Sequence, residues 1–173
     1  PEFIAKIMRR QRNMASEGVY GFTKNDLLGE DEVKMLVAKA AAAGRNAGIP
    51  EANIDTYLAL IHRESGYHPK ASSGTSHGIG QVQLSTAQSP GYGVPTDVIN
   101  AIETKDDLFN VDKNLAISAA YYKGLLTNKN SPAYNKPFEA AATYNAGPGN
   151  IATAMEKAGS TDPAIYLPKL EEI

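Results

Sequence analysis

Apolar residues recur at helical spacing along most of this 173-residue chain. The clearest stretch runs from Pro50 to Ser65, and its apolar side chains fall at positions i, i+3, i+4 and i+7: Ile54, Tyr57, Leu58 and Ile61. Pro50 suits the first turn of a helix, while Gly66 and Pro69 predict its end. Because no stretch of useful length alternates like a strand, the sequence predicts a mainly α fold with little or no β-sheet.

Further helices are predicted on both sides of this stretch. They are expected at residues 31–45, at residues 111–126, from Pro137 to the sequence Gly147-Pro148-Gly149, at residues 151–157 and from Asp162 onward. Asn110 or Asp112 would cap the second of these helices. Residues 70–110 hold too many Gly, Ser, Thr and Pro for long regular elements, so we expect loops of the kind that often carry function.

Length and composition limit the organisation and the partners of the chain. With 173 residues and 42% hydrophobic content, one globular core is expected. A net charge of −2 disfavours nucleic acid as a partner. The absence of cysteine excludes disulfides, thiolate zinc sites and a cysteine nucleophile. Stable insertion into a membrane is not expected, because no stretch approaches the roughly 20 apolar residues of a spanning helix.

The first 29 residues are expected to form a lead segment ahead of the main domain at residues 30–173. Its apolar residues Ile4, Ile7 and Met8 share helical spacing, and four basic residues surround them: Lys6, Arg9, Arg10 and Arg12. This basic face could meet an anionic cell wall or membrane surface. It could also be a plain solvated helix face, which is the commoner reason for such a cluster.

Glu64 is the residue whose position carries the most chemistry. It follows Ile61 by three residues, so it lies at the edge of the buried stripe, and it falls in the last turn of its helix, where the macrodipole disfavours negative charge. Both effects raise the pKa of a carboxyl group, as a general acid requires. The alternative is an ordinary helix-end carboxylate that reaches water and pairs with Arg63 or Lys70.

Glu64 also opens the first of several sequence blocks that follow one another in order. The blocks are Glu64-Ser65-Gly66-Tyr67-His68-Pro69-Lys70-Ala71, Gly78-Ile79-Gly80-Gln81-Val82-Gln83, a weaker one from Asn114 to Tyr122, and Ala142-Thr143-Tyr144-Asn145-Ala146-Gly147-Pro148-Gly149. In order and spacing they resemble the signatures of the soluble lytic transglycosylase (SLT) domain, which shares the lysozyme-like fold with goose-type lysozymes. The resemblance covers residues 54–151 and implies a single helical domain with a saccharide groove.

The resemblance implies that Glu64 is the catalytic residue. It also implies a substrate-binding set: Ser73, Gly78, Ile79, Gln81, Gln83, Tyr121, Tyr144 and Asn145. We expect the two glycines of the Gly-Ile-Gly sequence to let the backbone approach the ligand, and Gln81 to offer the sugar both a donor and an acceptor. Tyr144 is expected to form a hydrogen bond with the Glu64 carboxyl group. On their own, the glycine pair would indicate only a turn and Tyr144 a core aromatic.

Some positions depart from the family pattern. Gly80 stands where the family often has Met, and Ser118 stands where it often has Gly. The segment from Ser72 to His77 also differs from the common pattern around a binding-site serine, so Ser73 rests on the weakest match. The missing side chain at Gly80 is expected to remove a wall of the groove, whereas none of these changes touches the proton-transfer group.

The resemblance implies cleavage of peptidoglycan between N-acetylmuramic acid and N-acetylglucosamine by a single carboxyl group. Glu64 would protonate the leaving oxygen and then take the proton from the muramoyl 6-hydroxyl, which closes a 1,6-anhydro ring. No metal or organic cofactor has a role in this scheme. The expected setting is the bacterial periplasm or cell wall. The start at Pro1 without a signal segment favours a piece of a larger phage virion or secretion-apparatus protein.

Alternatives from three classes stay open. Hydrolysis by water, as in goose-type lysozymes, would need a second acid, for which Asp97 is the best candidate. A zinc hydrolase would use His62, His68 and His77, but their spacing does not fit the HExxH pattern. A non-catalytic peptidoglycan-binding module would keep the groove without turnover, although it has no need for a poised carboxyl group.

Overall fold

Helices account for most of residues 2–172, the part of the chain that this computed structural model describes; the side chains of Pro148 and Glu171 fall outside that description. The α-helices are α1 (Glu2–Glu17), α2 (Glu30–Ala47), α3 (Ile54–Ser65), α4 (Leu84–Gln88), α5 (Thr96–Asn100), α6 (Val111–Thr127), α7 (Pro137–Ala146), α8 (Pro148–Ala158) and α9 (Pro163–Tyr166). Short 3₁₀ helices lie at Val19–Gly21, Lys24–Asp26, Glu51–Asn53, Lys105–Phe109 and Leu167–Glu172.

The β-structure of residues 2–172 consists of two isolated bridges, which join His77 to Ser72 and to Val82. The expected single, mainly α domain is therefore confirmed. Across the same residues, every helix is too short or too polar to cross a lipid bilayer.

Helix α6 forms the centre of the domain. One face of α6 is apolar and buried, and none of its residues is more than 3% exposed: Leu115, Ala119, Tyr122 and Leu126. Much of the rest of α6 is buried as well, since α2, α5, α7 and the 3₁₀ helix at Lys105–Phe109 all pack against it. Ile117, for example, belongs to a second apolar cluster with Val82 and Leu108. Asp112 and Ala116 remain exposed, so the apolar surface of α6 is wider than a single stripe but does not surround the helix.

Helix α3 begins with a 3₁₀ turn at Glu51–Asn53, so its α-helical part starts at Ile54 rather than at Pro50. Tyr57 and Ile61 are fully buried, which confirms that the predicted stripe faces the core. The helix ends at Gly66, whose φ of +60° lies in the left-handed region that glycine adopts without steric penalty. Glu64 therefore lies in the last turn of α3, two residues before the chain changes direction at Gly66.

Helices α7 and α8 are separated by a single residue, Gly147, with a φ of +89°. The predicted end of α7 at this glycine is confirmed, but α8 starts at Pro148, three residues before the predicted start. Proline fits the first position of a helix because no backbone amide hydrogen is needed there. Gly147 and the first turn of α8 consequently follow directly on the Tyr144-Asn145 pair.

The lead segment packs its apolar side onto the main core. Ile7 of α1 is fully buried in the same cluster as α3 and α6, and Phe3, Ile4 and Met8 lie partly buried around it. The basic side chains of Lys6, Arg9 and Arg12 are exposed. Helix α1 is thus amphipathic, with its charged face in solvent.

The loops between α3 and α6 are fastened to α6 by one buried side chain, Asn114. Its Nδ2 donates to the carbonyl oxygens of His77 (2.9 Å) and Leu108 (2.8 Å). Its Oδ1 accepts from the backbone amide of Gly80 at 2.9 Å. Asn114 is fully buried, so these three hydrogen bonds have no competition from water.

We expect Asn114→Ala to lower the free energy of unfolding by about 3 kcal/mol, because it removes the partner of the buried Gly80 amide and of the Leu108 carbonyl group, while the His77 carbonyl group keeps the Val82 amide. Urea denaturation at neutral pH measures this change. Asn46→Ala, at an exposed position of α2, is the matched control and should stay within about 0.5 kcal/mol of the parent chain. Equal effects of the two substitutions would show that Asn114 does not fasten these loops.

Candidate active site

Glu64 lies in a cleft of about 470 Å³ formed by the end of α3, the loops after it, α6 and the junction of α7 and α8. Of the residues predicted to bind substrate, six line this cleft together with Glu64: Ser73, Gln81, Gln83, Tyr121, Tyr144 and Asn145. They come from four separate parts of the chain. The structure thus brings most of the predicted site residues together around one carboxyl group.

The Glu64 side chain is largely withdrawn from solvent, with 9% of the residue exposed. Burial raises the pKa of its carboxyl group above the ordinary value of a glutamate. A hydrogen bond from Asn145 and the positive charges of Arg63 and Arg10 act in the opposite direction and lower the pKa. Burial is the largest of these effects, so the pKa of Glu64 remains raised, as the sequence predicted.

Pairing with a cation, the alternative for Glu64, is not seen in residues 2–172. The ion pairs there involve other acids, and neither Arg63 nor Lys70 takes part in them. The polar partner of Glu64 is neutral: Asn145 Nδ2 donates to Glu64 Oε1 at 2.8 Å. A neutral donor orients the carboxyl group without fixing it in the charged state as strongly as a cation would.

The predicted hydrogen bond from Tyr144 to Glu64 is wrong. The Tyr144 hydroxyl donates instead to the carbonyl oxygen of Gly80 at 2.5 Å. Successive residues of a helix are rotated by about 100°. This rotation turns the Tyr144 ring inward, where it is 8% exposed, and turns the next side chain, Asn145, toward the carboxyl group.

Tyr144 belongs to a chain of buried hydroxyl groups. Its oxygen lies 2.8 Å from Ser118 Oγ, and Tyr57 donates to the same Ser118 oxygen at 3.0 Å. Since the Gly80 carbonyl can only accept, the Tyr144 hydroxyl must donate to it, and Ser118 must in turn donate to Tyr144. Each of these three hydrogen bonds therefore has one possible donor, and together they hold α7 against α3 and α6.

The two glycines of the Gly-Ile-Gly sequence serve packing rather than approach to a ligand. A Cβ at Gly78 would lie 2.0 Å from the carbonyl oxygen of Leu108. At Gly80 a Cβ would lie 2.6 Å from Asn114 Oδ1 and 2.8 Å from Ser118 Cβ. A side chain at position 80 would point toward α6, so the predicted loss of a groove wall at Gly80 is also wrong.

Ile79 points into the core, whereas Gln81 lines the cleft. Ile79 is 1% exposed within the main core, and its carbonyl oxygen accepts from Ser65 Oγ at 2.5 Å. Gln81 lines the cleft, but its Nε2 donates to the carbonyl oxygens of Ala71 and Gly78, both at 2.8 Å. Both amide hydrogens are thereby used within the protein. Gln81 can offer a ligand its amide oxygen as an acceptor, and not the donor that the sequence predicted.

Tyr121, Ser73 and Gln83 occupy the walls of the cleft. The ring of Tyr121 packs against that of Tyr144, with 5.5 Å between the ring centroids. Ser73 and Gln83 are exposed, and the Ser73 hydroxyl accepts from the backbone amide of Ser76 at 3.0 Å. The cleft therefore combines an aromatic wall with a polar rim, as saccharide sites do.

Tyr20 also lines the cleft, although no sequence motif includes it. Its hydroxyl donates to the backbone carbonyl of Glu64 at 2.8 Å. Tyr20 stands in the lead segment, 44 positions before Glu64 in the sequence and outside the blocks that resemble the family. Only the folded chain shows that the two residues meet.

Asp97, the candidate second acid, does not line the cleft of Glu64. It lies in the first turn of α5 and lines another cavity, of about 480 Å³, between α2, α5 and α6. Among the described residues that line the cleft, Glu64 is the sole carboxylate.

The three histidines are held in separate surroundings. His62 packs against Phe3, His68 Nε2 lies 2.7 Å from the carbonyl oxygen of Asp26, and His77 Nδ1 lies 2.9 Å from Ser72 Oγ. Within residues 2–172 no three His, Asp or Glu side chains are grouped so that they could hold a metal ion.

Comparison with known proteins identifies the family of this chain. The family model of the Transglycosylase SLT domain matches residues 41–167, which include Glu64 and every predicted substrate-binding residue. No curated protein and no solved structure gave a significant match. Since the family match spans well over half of the sequence, this chain belongs to the Transglycosylase SLT domain family, whose members generally cleave peptidoglycan as lytic transglycosylases.

Proposed function

We propose that this protein is a lytic transglycosylase that cleaves the β-1,4 bond between N-acetylmuramic acid and N-acetylglucosamine and leaves a 1,6-anhydro end. One observation carries the proposal: among the described residues that line the cleft, Glu64 has the single carboxyl group, and burial raises its pKa. A buried carboxyl group with a raised pKa keeps its proton to higher pH than an exposed one, which favours action as a general acid. The family match supplies peptidoglycan as the class of substrate.

In the first step, protonated Glu64 gives its proton to the glycosidic oxygen, and the bond from that oxygen to the muramoyl anomeric carbon breaks. The N-acetylglucosamine portion leaves with a free hydroxyl group. Positive charge develops at the anomeric carbon, and the muramoyl N-acetyl group, which is part of the substrate, stabilises it. Glu64 is then ionised, and the Asn145 amide, which donates to Oε1, stabilises the new charge.

In the second step, the Glu64 carboxylate takes the proton of the muramoyl 6-hydroxyl while that oxygen bonds to the anomeric carbon. The new bond closes the 1,6-anhydro ring, and Glu64 regains its proton for the next cycle. No water enters the reaction. The same group serves as acid and then as base, which requires a pKa that is raised but still within reach of both forms.

The geometry favours this route over hydrolysis. Inverting and retaining hydrolases place two carboxylates on either side of the scissile bond, about 5 to 9.5 Å apart. The best candidate for the second carboxylate, Asp97, lines a different cavity. Attack by a hydroxyl group of the substrate itself needs no second protein acid.

Glu64→Gln is expected to lower turnover at least 100-fold, because an amide of the same shape cannot protonate the leaving oxygen, a contribution worth about 10² to 10⁴ in rate. Release of muropeptides from purified sacculi measures turnover, and sedimentation with sacculi measures binding, which should persist. Glu156→Gln, at an exposed position of α8, is the control and should keep full turnover.

Mass spectrometry of the products separates the mechanisms, since an anhydro end is lighter than a reducing end by one water. Reducing ends throughout would rule out the transglycosylase in favour of a hydrolase. Normal turnover by Glu64→Gln would remove Glu64 from the mechanism altogether.

We expect Asn145→Ala to move the alkaline limb of the pH–activity profile to higher pH. The Asn145 amide stabilises the ionised carboxyl group and so lowers the pKa of Glu64. Its removal raises that pKa further, and the proton needed for the first step is then retained to higher pH. The measurement is the initial rate on soluble glycan strands against pH.

Asn150→Ala is the matched control for this shift. Asn150 lines the same cleft, but its Nδ2 donates to the Ala146 carbonyl oxygen rather than to Glu64. Its alkaline limb should therefore coincide with that of the parent protein. A shift of the limb to lower pH in Asn145→Ala would contradict the assigned role of the amide.

A further inference from the structure

The lead segment reaches the catalytic helix at its carboxyl end. The last four carbonyl groups of an α-helix have no partner within the helix. In α3, two of them are satisfied by the turn that follows: the His62 oxygen accepts from the Gly66 amide at 2.9 Å, and the Ser65 oxygen accepts from the His68 amide at 3.2 Å.

The other two carbonyl groups are satisfied by side chains of the lead segment. Arg10 Nη2 donates to the Arg63 oxygen, and the Tyr20 hydroxyl donates to the Glu64 oxygen, both at 2.8 Å. A third side chain, Gln11, donates through Nε2 to the Gly66 oxygen at 2.9 Å. The lead segment therefore caps the helix that carries Glu64, although it precedes the family match, which begins at residue 41.

Tyr20 is fixed in place by its own surroundings. Its ring packs edge-on against Phe22, with 5.8 Å between centroids, and the Phe22 ring packs against His68 at 4.2 Å. The Tyr20 backbone has a φ of +55°, in the left-handed region that is unfavourable for a residue with a Cβ. Such a conformation persists only where neighbouring contacts enforce it, and it is most common at functional sites.

We propose that Tyr20 binds the glycan strand directly, as an aromatic wall of the cleft beside Glu64. This inference rests on the proposed function, because it names a further binding residue for the same reaction. Tyr20 lines the cleft together with Glu64, Asn145 and Gly147. Its hydroxyl group is engaged by the Glu64 carbonyl, so the partly exposed ring is what remains for a ligand.

The chemistry of the ring suits a saccharide. A pyranose presents an apolar face of C–H groups, and an aromatic ring offers a flat apolar surface of matching size with little conformational entropy to lose. Tyr121 also lines the cleft, but it is 5% exposed, so the more exposed ring of Tyr20 is the one that can meet a sugar face. The polar groups of the cleft would then fix the orientation of the sugar.

The ring and the hydroxyl group of Tyr20 have separable effects. Tyr20→Leu loses both the ring that binds sugar and the hydroxyl group, so it should raise KM about tenfold and also lower kcat several-fold. The hydroxyl group positions Glu64 through its backbone, so Tyr20→Phe should leave KM near that of the parent protein and lower kcat several-fold. A purely structural residue would not produce this split between the two variants.

The decisive measurement is binding in the inactive background. Isothermal titration of Glu64→Gln with peptide-free glycan strands gives a reference Kd, and Glu64→Gln/Tyr20→Leu should bind about tenfold more weakly. Glu64→Gln/Phe138→Leu is the control for loss of an aromatic side chain and should keep the reference Kd, because Phe138 is exposed on α7 and does not line the cleft. Equal Kd values for all three proteins would overturn the inference while leaving the proposed reaction intact.

A second measurement needs no substitution at Tyr20, in case Tyr20→Leu fails to fold. In Glu64→Gln labelled with ¹³C at tyrosine rings, the Tyr20 resonances should shift on addition of glycan strands. The resonances of Tyr134, which is 37% exposed and does not line the cleft, should stay in place. Unshifted Tyr20 resonances at saturating glycan would contradict the proposal. Failure of the proposed function would appear separately, as binding without turnover by the parent protein.

Discussion

The site depends on the opposition between burial of the Glu64 carboxyl group and the hydrogen bond that Asn145 gives it. Burial alone would favour a permanently protonated acid, while a strong charged partner would favour a permanent carboxylate. The observed arrangement lies between these limits, because the partner is a neutral amide and the cations Arg63 and Arg10 act only as more distant charges. In the proposed reaction Glu64 first releases a proton and then recovers it, and this intermediate arrangement suits both steps.

The packing of the domain brings together Glu64 and Asn145, which are 81 residues apart in the sequence. Helix α3 carries Glu64 and helix α7 carries Asn145, and the two helices pack against each other. The hydrogen-bonded hydroxyl groups of Tyr57, Ser118 and Tyr144 join α3, α6 and α7 to the carbonyl group of Gly80. Asn114 of α6 binds the same loop through the Gly80 amide and the His77 carbonyl group. A shift of any one element would lengthen the hydrogen bond from Asn145 to the Glu64 carboxyl group.

Sequence reasoning found the helices and Glu64 because both follow from periodicity, which records burial directly. It predicted Tyr144 rather than Asn145 as the partner of Glu64, because the rotation of α7 about its axis decides between them and is not visible in the sequence. It assigned Gly78 to the ligand, whereas the neighbour that excludes a side chain there is a backbone carbonyl of distant Leu108. No sequence pattern marks Tyr20, because its position in the cleft depends on a tertiary contact with Glu64, which lies 44 residues further along the chain.

The two departures from the family pattern at positions 80 and 118 form one structural unit. Gly80 has no side chain where the family often has Met, and the space that a Cβ would enter is occupied by Ser118, which stands where the family often has Gly. The Ser118 side chain on α6 thus fills space next to Gly80 that a side chain at position 80 would need. The exchange also adds a hydroxyl group, which accepts from Tyr57 and donates to Tyr144. Because both positions face the interior, they alter how α7 is held and leave the composition of the cleft wall unchanged.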